Sequence, residues 1–185
     1  MLSNKNIVIC VCGGIAIYKV VDVVSRLKKL NAYVTVVMTE SATKFVTPLT
    51  FQAISQNKVY SNLFDTNDGP DIKHITIGQN ADLIVVAPAT ANIIGKLSNG
   101  IADDMVSTTI IASNAPKLLV PAMNTYMYEN TIVQENIKKL SDHGYKCMLP
   151  ESGSMAMKEE GEGIGRLPDP EKIVLKILKA FDIDE

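Results

Sequence analysis

Residues 6–12 read NIVICVC, a continuous apolar run that meets Gly13 and Gly14 and then a segment to about Leu30 whose apolar positions recur at helical spacing. That change of period predicts a strand, a glycine turn and a helix. The alternation repeats along the chain: AYVTVVM predicts a strand, a helix starts from Ser41, and DLIVVA at 82–87 is a strand. ATANIIGKL and DDMVSTTIIA are helical, KLLV at 117–120 is a strand, a helix lies near 131–142, YKCML is a strand, and a last helix begins at Pro170. IKHITIG places His74 ahead of a strand, and FDTNDGPD at 64–71 reads as an exposed loop. Strands that are apolar throughout, separated by helices, predict an α/β fold with an open parallel sheet covered by helices on both faces.

Composition narrows the class. The 185 residues suit one domain, 1–185, with a substantial core. A net charge of −2 and the absence of tryptophan leave neither a basic field nor stacking platforms, so no nucleic-acid partner is expected. The apolar run near the N-terminus is too short for a membrane span or a signal sequence, so a cytoplasmic protein without membrane contact is expected. Cys10, Cys12 and Cys147 have no metal spacing, no metal site is expected, and Cys10 and Cys12 should share one face of a strand as packing residues.

Open parallel sheets bind ligands beyond the carboxyl ends of their strands, which directs attention to four loops. CGGIAIYK at 12–19 lets backbone N–H groups approach an anion at a helix N-terminus. It is not a GxGxxG motif, and Met38 and Thr39 stand where a dinucleotide site would carry a ribose-binding acid, so a mononucleotide such as FMN is favoured. The hydroxyl of Thr39 or Ser41 suits a helix cap first, with a phosphate or ribityl contact as the functional alternative. His74 is the one histidine with a prospect of chemistry, because His143 in SDHGY reads as a helix-ending residue beside Gly144. APATANIIGKLSNGIADD at 87–104 and PAMNTYMYEN at 121–130 each set a proline and small polar residues directly after a strand. Asn92, Asn99 and Asn124 there offer uncharged donors and acceptors, Lys96 is expected to face solvent, and Asp103-Asp104 reads as an acidic helix start.

Together, GGIAIYK, the His74 segment, APATANIIGKLSNGIADD and above all PAMNTYMYENT resemble the homo-oligomeric flavin-containing cysteine decarboxylases, most closely the phosphopantothenoylcysteine decarboxylases of coenzyme A biosynthesis. The resemblance runs over nearly the whole chain. It implies a three-layer Rossmann-like FMN domain, assembled as a trimer or a dodecamer with active sites between subunits. It implies conversion of 4′-phosphopantothenoylcysteine to 4′-phosphopantetheine through thioaldehyde and enethiolate intermediates. On this likeness His74 is the catalytic base, Asn124 binds the substrate carboxylate, and Met127 shapes the pocket. Gly13, Gly14, Thr39, Thr90 and Asn92 hold FMN, with Ser107 or Thr108 as further contacts.

The stretch GSMAMKEEGEGIGR at 153–166 falls where the family carries a substrate clamp, expected here over residues 152–168 as a mobile element. Its glutamates argue against a phosphate cradle and its glycines fit a lid. Met157 occupies the position of the family's clamp cysteine, on the substrate side with Arg166. A thioether has no proton to give, so three readings stay open: the full decarboxylase with another proton donor, an oxidative decarboxylase of a peptide C-terminal cysteine as in lantibiotic maturation, and a non-catalytic FMN-binding regulatory subunit.

Overall fold

The computed structural model describes residues 1–64, 72–154 and 162–183. In chain order the elements are β1 Asn6–Val11, α1 Ile17–Lys29, β2 Tyr33–Met38, α2 Glu40–Thr43, α3 Pro48–Ser55, β3 Val59–Tyr60, α4 Lys73–Gln79 and β4 Leu83–Ala89. They continue as α5 Ala91–Ser98, α6 Met105–Ile111, β5 Lys117–Pro121, α7 Thr125–Glu129, α8 Thr131–Asp142, β6 Lys146–Cys147, β7 Glu151–Ser154, β8 Glu162–Arg166 and α9 Pro170–Lys179.

Six strands form one parallel sheet in the order β3-β2-β1-β4-β5-β6, and β7 and β8 pair as a separate antiparallel hairpin. Both faces of the sheet are covered, as the unbroken apolar strands predict. Ile7, Ile9 and Val11 of β1 pack with α1 and α9, while Val8 and Cys10 face the opposite way into a core built with α5, α6 and α8. Cys12 joins the second core, so the two early cysteines do share a face. In α1, Ile17, Val20, Val23, Val24 and Leu27 are buried, which is the helical period acting as the burial code. The helix ends where Asn31 takes a left-handed φ of 66°.

The structure departs from the sequence reading in four places. The segment after Ser41 is not one helix: Thr39 caps the short α2, and Pro48 restarts the chain as α3 at its first helical position. His74 precedes a strand, β4, but from within a helix that the sequence did not predict, α4, where Gly78 lets the helix approach the Thr109 carbonyl of α6 closely. The YKCML segment pairs with β5 only through Lys146 and Cys147. The glycine-rich stretch supplies both strands of a hairpin at its flanks, while Met157 and residues 65–71 lie outside the described residues.

Candidate functional site

The strand order reverses between β1 and β4, and a cleft of about 970 Å³ opens there, beyond the carboxyl ends of the strands. Its walls come from the β1–α1 turn, the start of α2, the β4–α5 turn, the β5–α7 loop and the end of β8. Each turn follows a buried strand, so the core fixes where the loop side chains point.

The β1–α1 turn is shaped for close approach. A Cβ at Gly13 would sit 2.6 Å from the Ser41 Cβ and 2.9 Å from its carbonyl carbon, so only glycine fits between strand and α2. At the head of α1, Ala16 has no side chain able to cap the helix; Ile17 N and Lys19 N donate to the carbonyls of Gly14 and Ala16, so among the described residues Tyr18 N is the first-turn donor left for an external acceptor. Thr39 Oγ1 lies 3.2 Å from Ala42 N and caps α2, and Thr90 Oγ1 lies 3.3 Å from Ile93 N and caps α5. Capping and ligand contact are compatible, since both hydroxyls also line the cleft and keep their own protons to donate.

On the far wall, Asn124 Oδ1 accepts from the backbone N–H of Tyr126 at 2.9 Å and of Met127 at 3.4 Å. That fixes the amide with its nitrogen uncommitted among the described residues, a donor suited to a carboxylate or carbonyl oxygen. Met127 stands beside it, 48% exposed. The β8 strand is tied to this wall by Met123 N donating to Gly165 O at 3.0 Å.

Lys96 overturns its solvent-facing expectation. Its ammonium is 2.6 Å from both Asp103 Oδ1 and Asp104 Oδ2, and its side chain is only 19% exposed. Burial opposes the Lys96 charge, but the two carboxylates outweigh it and raise the pKa above the usual lysine value. Burial likewise pushes the Asp104 carboxyl up, and the bonds from Lys96 and Ser107 bring it below the usual range. Asp104 and Ser107 form a reciprocal capping box at the head of α6, which bears out the acidic helix start. Burial, with Asp104 nearby, pushes the Cys12 thiol up to about 12, so this cleft residue is a neutral thiol rather than a nucleophile.

Of the residues singled out in the sequence, Gly13, Gly14, Thr39, Thr90, Asn92, Asn124, Met127 and Arg166 come together in the cleft. Ser107 does not: it is fully buried and its hydroxyl serves the capping box. Thr108 also lies outside the cleft, with its hydroxyl buried and unpaired among the described residues. His74, on α4, is not part of the cleft either. Asn99 instead bonds back to the Gly95 carbonyl at 2.8 Å, and His143 ends α8 with Nδ1 2.7 Å from the Lys139 carbonyl oxygen. Tyr18, Lys19 and Pro88 line the cleft without having been singled out; all three lie in motifs flanking the strand ends.

The flavoprotein family profile matches residues 1–182. The chain belongs to the flavoprotein family. Across 98% of its length this flavoprotein is 49% identical to the coenzyme A biosynthesis bifunctional protein CoaBC of Bacillus subtilis, spanning 44% of that relative. It is 43% identical to the probable phosphopantothenoylcysteine decarboxylase of Streptococcus mutans, covering 94% of this chain and 97% of the relative. Among solved structures, the FMN-dependent cysteine decarboxylase SpaF superposes with a TM-score of 0.82 at 27% identity, over 98% of this chain and 99% of its own. The three-layer parallel-sheet architecture is thus that of flavoprotein decarboxylases. No helix among the described residues is long and apolar enough to cross a membrane.

Proposed function

We propose that this flavoprotein decarboxylates 4′-phosphopantothenoylcysteine to 4′-phosphopantetheine with FMN as cofactor. The observation that carries the reading is the end-to-end match to the Streptococcus mutans relative, which bears the name of that activity. The cleft supports it chemically. The glycine turn, the uncapped head of α1 and the hydroxyls of Thr39 and Ser41 suit the phosphate of a mononucleotide, and the strand end that would grip a dinucleotide ribose carries hydroxyls. Glu40 at the rim is 88% exposed and 3.8 Å from Lys44, away from that role.

Thr90 and Asn92 would hold the rest of the cofactor along the β4–α5 turn. FMN, when bound, supplies a two-electron oxidation at the substrate's thiol-bearing carbon and later returns the hydride, so no external reductant is consumed. The chain's residues then bind and orient. Asn124 donates its amide N–H to the substrate carboxylate and holds the bond to be broken in one orientation, while Met127 excludes water from that side. His74 takes the thiol proton, and it does so in a neighbouring subunit's cleft, because its own does not contain it. A homo-oligomer acting in the cytoplasm completes the reading.

A second reading rests on Met157. Without a thiol at that position the reductive half has lost a ready acid, which suits an enzyme whose product is the enethiol of a peptide C-terminus.

Mass measurement of the product separates these readings. Flavin-loaded protein given 4′-phosphopantothenoylcysteine should yield a product lighter by carbon dioxide alone. Loss of carbon dioxide plus two hydrogens would mean that the reaction stops after oxidation, and an unchanged mass would sink the proposal.

A further inference from the structure

Among the described residues three cationic side chains line the cleft, Lys19, Lys96 and Arg166. Lys19 Nζ is 3.1 Å from Asp169 Oδ1 and 3.1 Å from the Leu167 carbonyl oxygen. Lys96 lies between Asp103 and Asp104. Arg166 is left over. Its cross-strand partner in the hairpin is Glu151, but that carboxylate is 2.6 Å from Lys172 on α9. The next acid along the chain, Asp169, is bonded to Lys19 and feels the Arg166 charge only at longer range, without a contact. Among the described residues the Arg166 guanidinium has no ion pair and no hydrogen bond.

The hairpin nevertheless fixes where this side chain goes. Gly153 on β7 has a φ of 152°, and a Cβ there would come within 2.5 Å of Arg166 Nη1 and 3.3 Å of its Cδ. Glycine at 153 thus leaves the space that the arginine fills. The bond from Met123 N to Gly165 O holds the adjoining residue against the loop that carries Asn124. Arg166 and the free amide nitrogen of Asn124 therefore line the same cleft, from strands and loops tied to each other. A partly buried guanidinium with no carboxylate in contact is costly, and its planar fork matches a carboxylate or phosphate.

We infer that Arg166 binds an anionic group of the substrate, a carboxylate or a phosphate, as a specificity-determining residue of the cleft. This deepens the function proposed above and rests on it for the identity of the substrate. On that reading the cofactor's phosphate would be held at the head of α1 and by the hydroxyls beside it, which leaves the arginine for the second ligand.

The test uses the flavin-loaded protein, unchanged and as Arg166→Gln and Arg166→Lys. The probe is 4′-phosphopantothenoylserine, which keeps both anions but has a hydroxyl in place of the reactive thiol, so calorimetric binding is read without turnover. Arg166→Gln should retain its flavin and bind this analogue about ten- to a hundredfold more weakly, with Arg166→Lys in between. If the loss persists with pantothenoylserine, the group is the carboxylate; if it vanishes, the group is the phosphate. Equal binding by Arg166→Gln and the unchanged protein overturns the inference, as does loss of flavin from Arg166→Gln, which would assign the guanidinium to the cofactor. Turnover of the cysteine substrate by the unchanged protein is measured alongside. Arg166-dependent binding without turnover defeats the proposed function and leaves this inference standing. Turnover with Arg166-independent binding does the reverse, and neither binding nor turnover defeats both.

Discussion

Lys96 Nζ lies 2.6 Å from Oδ2 of Asp104, so the last turn of α5 is fastened to the N-cap of α6 beside the cleft. Because the folded state holds the Asp104 carboxyl below its ordinary range, the unfolded chain binds a proton there first as the solution is acidified. The contribution is fully present above the unfolded value, about 3.9, and is lost as pH falls through the lower folded value. Asp104→Asn keeps a capping side chain but no charge, so its urea midpoint should fall less steeply with acid than that of the unchanged protein. Parallel acid limbs for the two proteins would show that Asp104 does not carry this dependence.

Gly13 and Gly14 are adjacent but not equivalent. A methyl group at Gly13 meets the Cβ and backbone of Ser41, whereas one at Gly14 has only Pro88 Cγ at 3.9 Å. Gly13→Ala should therefore cost about 1–3 kcal/mol of stability, an overpacking cost, and lower the flavin content of the purified protein. Gly14→Ala should unfold at nearly the original urea concentration. Comparable losses at both positions would contradict the packing of the turn against α2.

The sequence made β1, the glycine turn and α1 legible because the apolar period changes at the glycines and nothing distant overrides it. The cleft was legible for a related reason: Gly13, Thr39, Thr90 and Asn124 each follow a strand, so strand ends locate them. Lys19 was not, since its partner Leu167 is 148 positions away and no local pattern records that contact. The helix α4 went unpredicted because IKHITIG is short, rich in β-branched residues and without a capping side chain at its start. Lys96 was misplaced because both its carboxylates lie beyond the end of its own helix, where helical spacing gives no warning.

One chain brings Asn124 into its cleft and leaves His74 outside. If neighbouring subunits complete each other's sites, His74→Asn and Asn124→Ala should each abolish turnover, with flavin still bound in the histidine variant. Mixing the two inactive proteins under conditions that exchange subunits should restore about a quarter of the activity, the fraction of sites that draw an intact residue from each chain. Hybrid oligomers with no activity would place His74 outside the reaction.

Asn124 does two jobs with the two ends of one amide. Its oxygen caps α7 by accepting from Tyr126 and Met127, and its nitrogen, without a partner among the described residues, lines the cleft as a donor. Replacement by alanine removes both and should cost about 1 kcal/mol of stability in addition to substrate binding. Replacement by aspartate keeps an acceptor at the cap and puts a negative charge at the head of α7, which favours the helix. The same charge stands where the donor was, facing the carboxylate that Asn124 is proposed to bind. Asn124→Asp should therefore melt no lower than the unchanged protein yet bind 4′-phosphopantothenoylserine at least tenfold more weakly, with Asn124→Ala weaker in both measurements. Unchanged affinity in Asn124→Asp would remove the amide nitrogen from substrate recognition and leave Asn124 a helix cap.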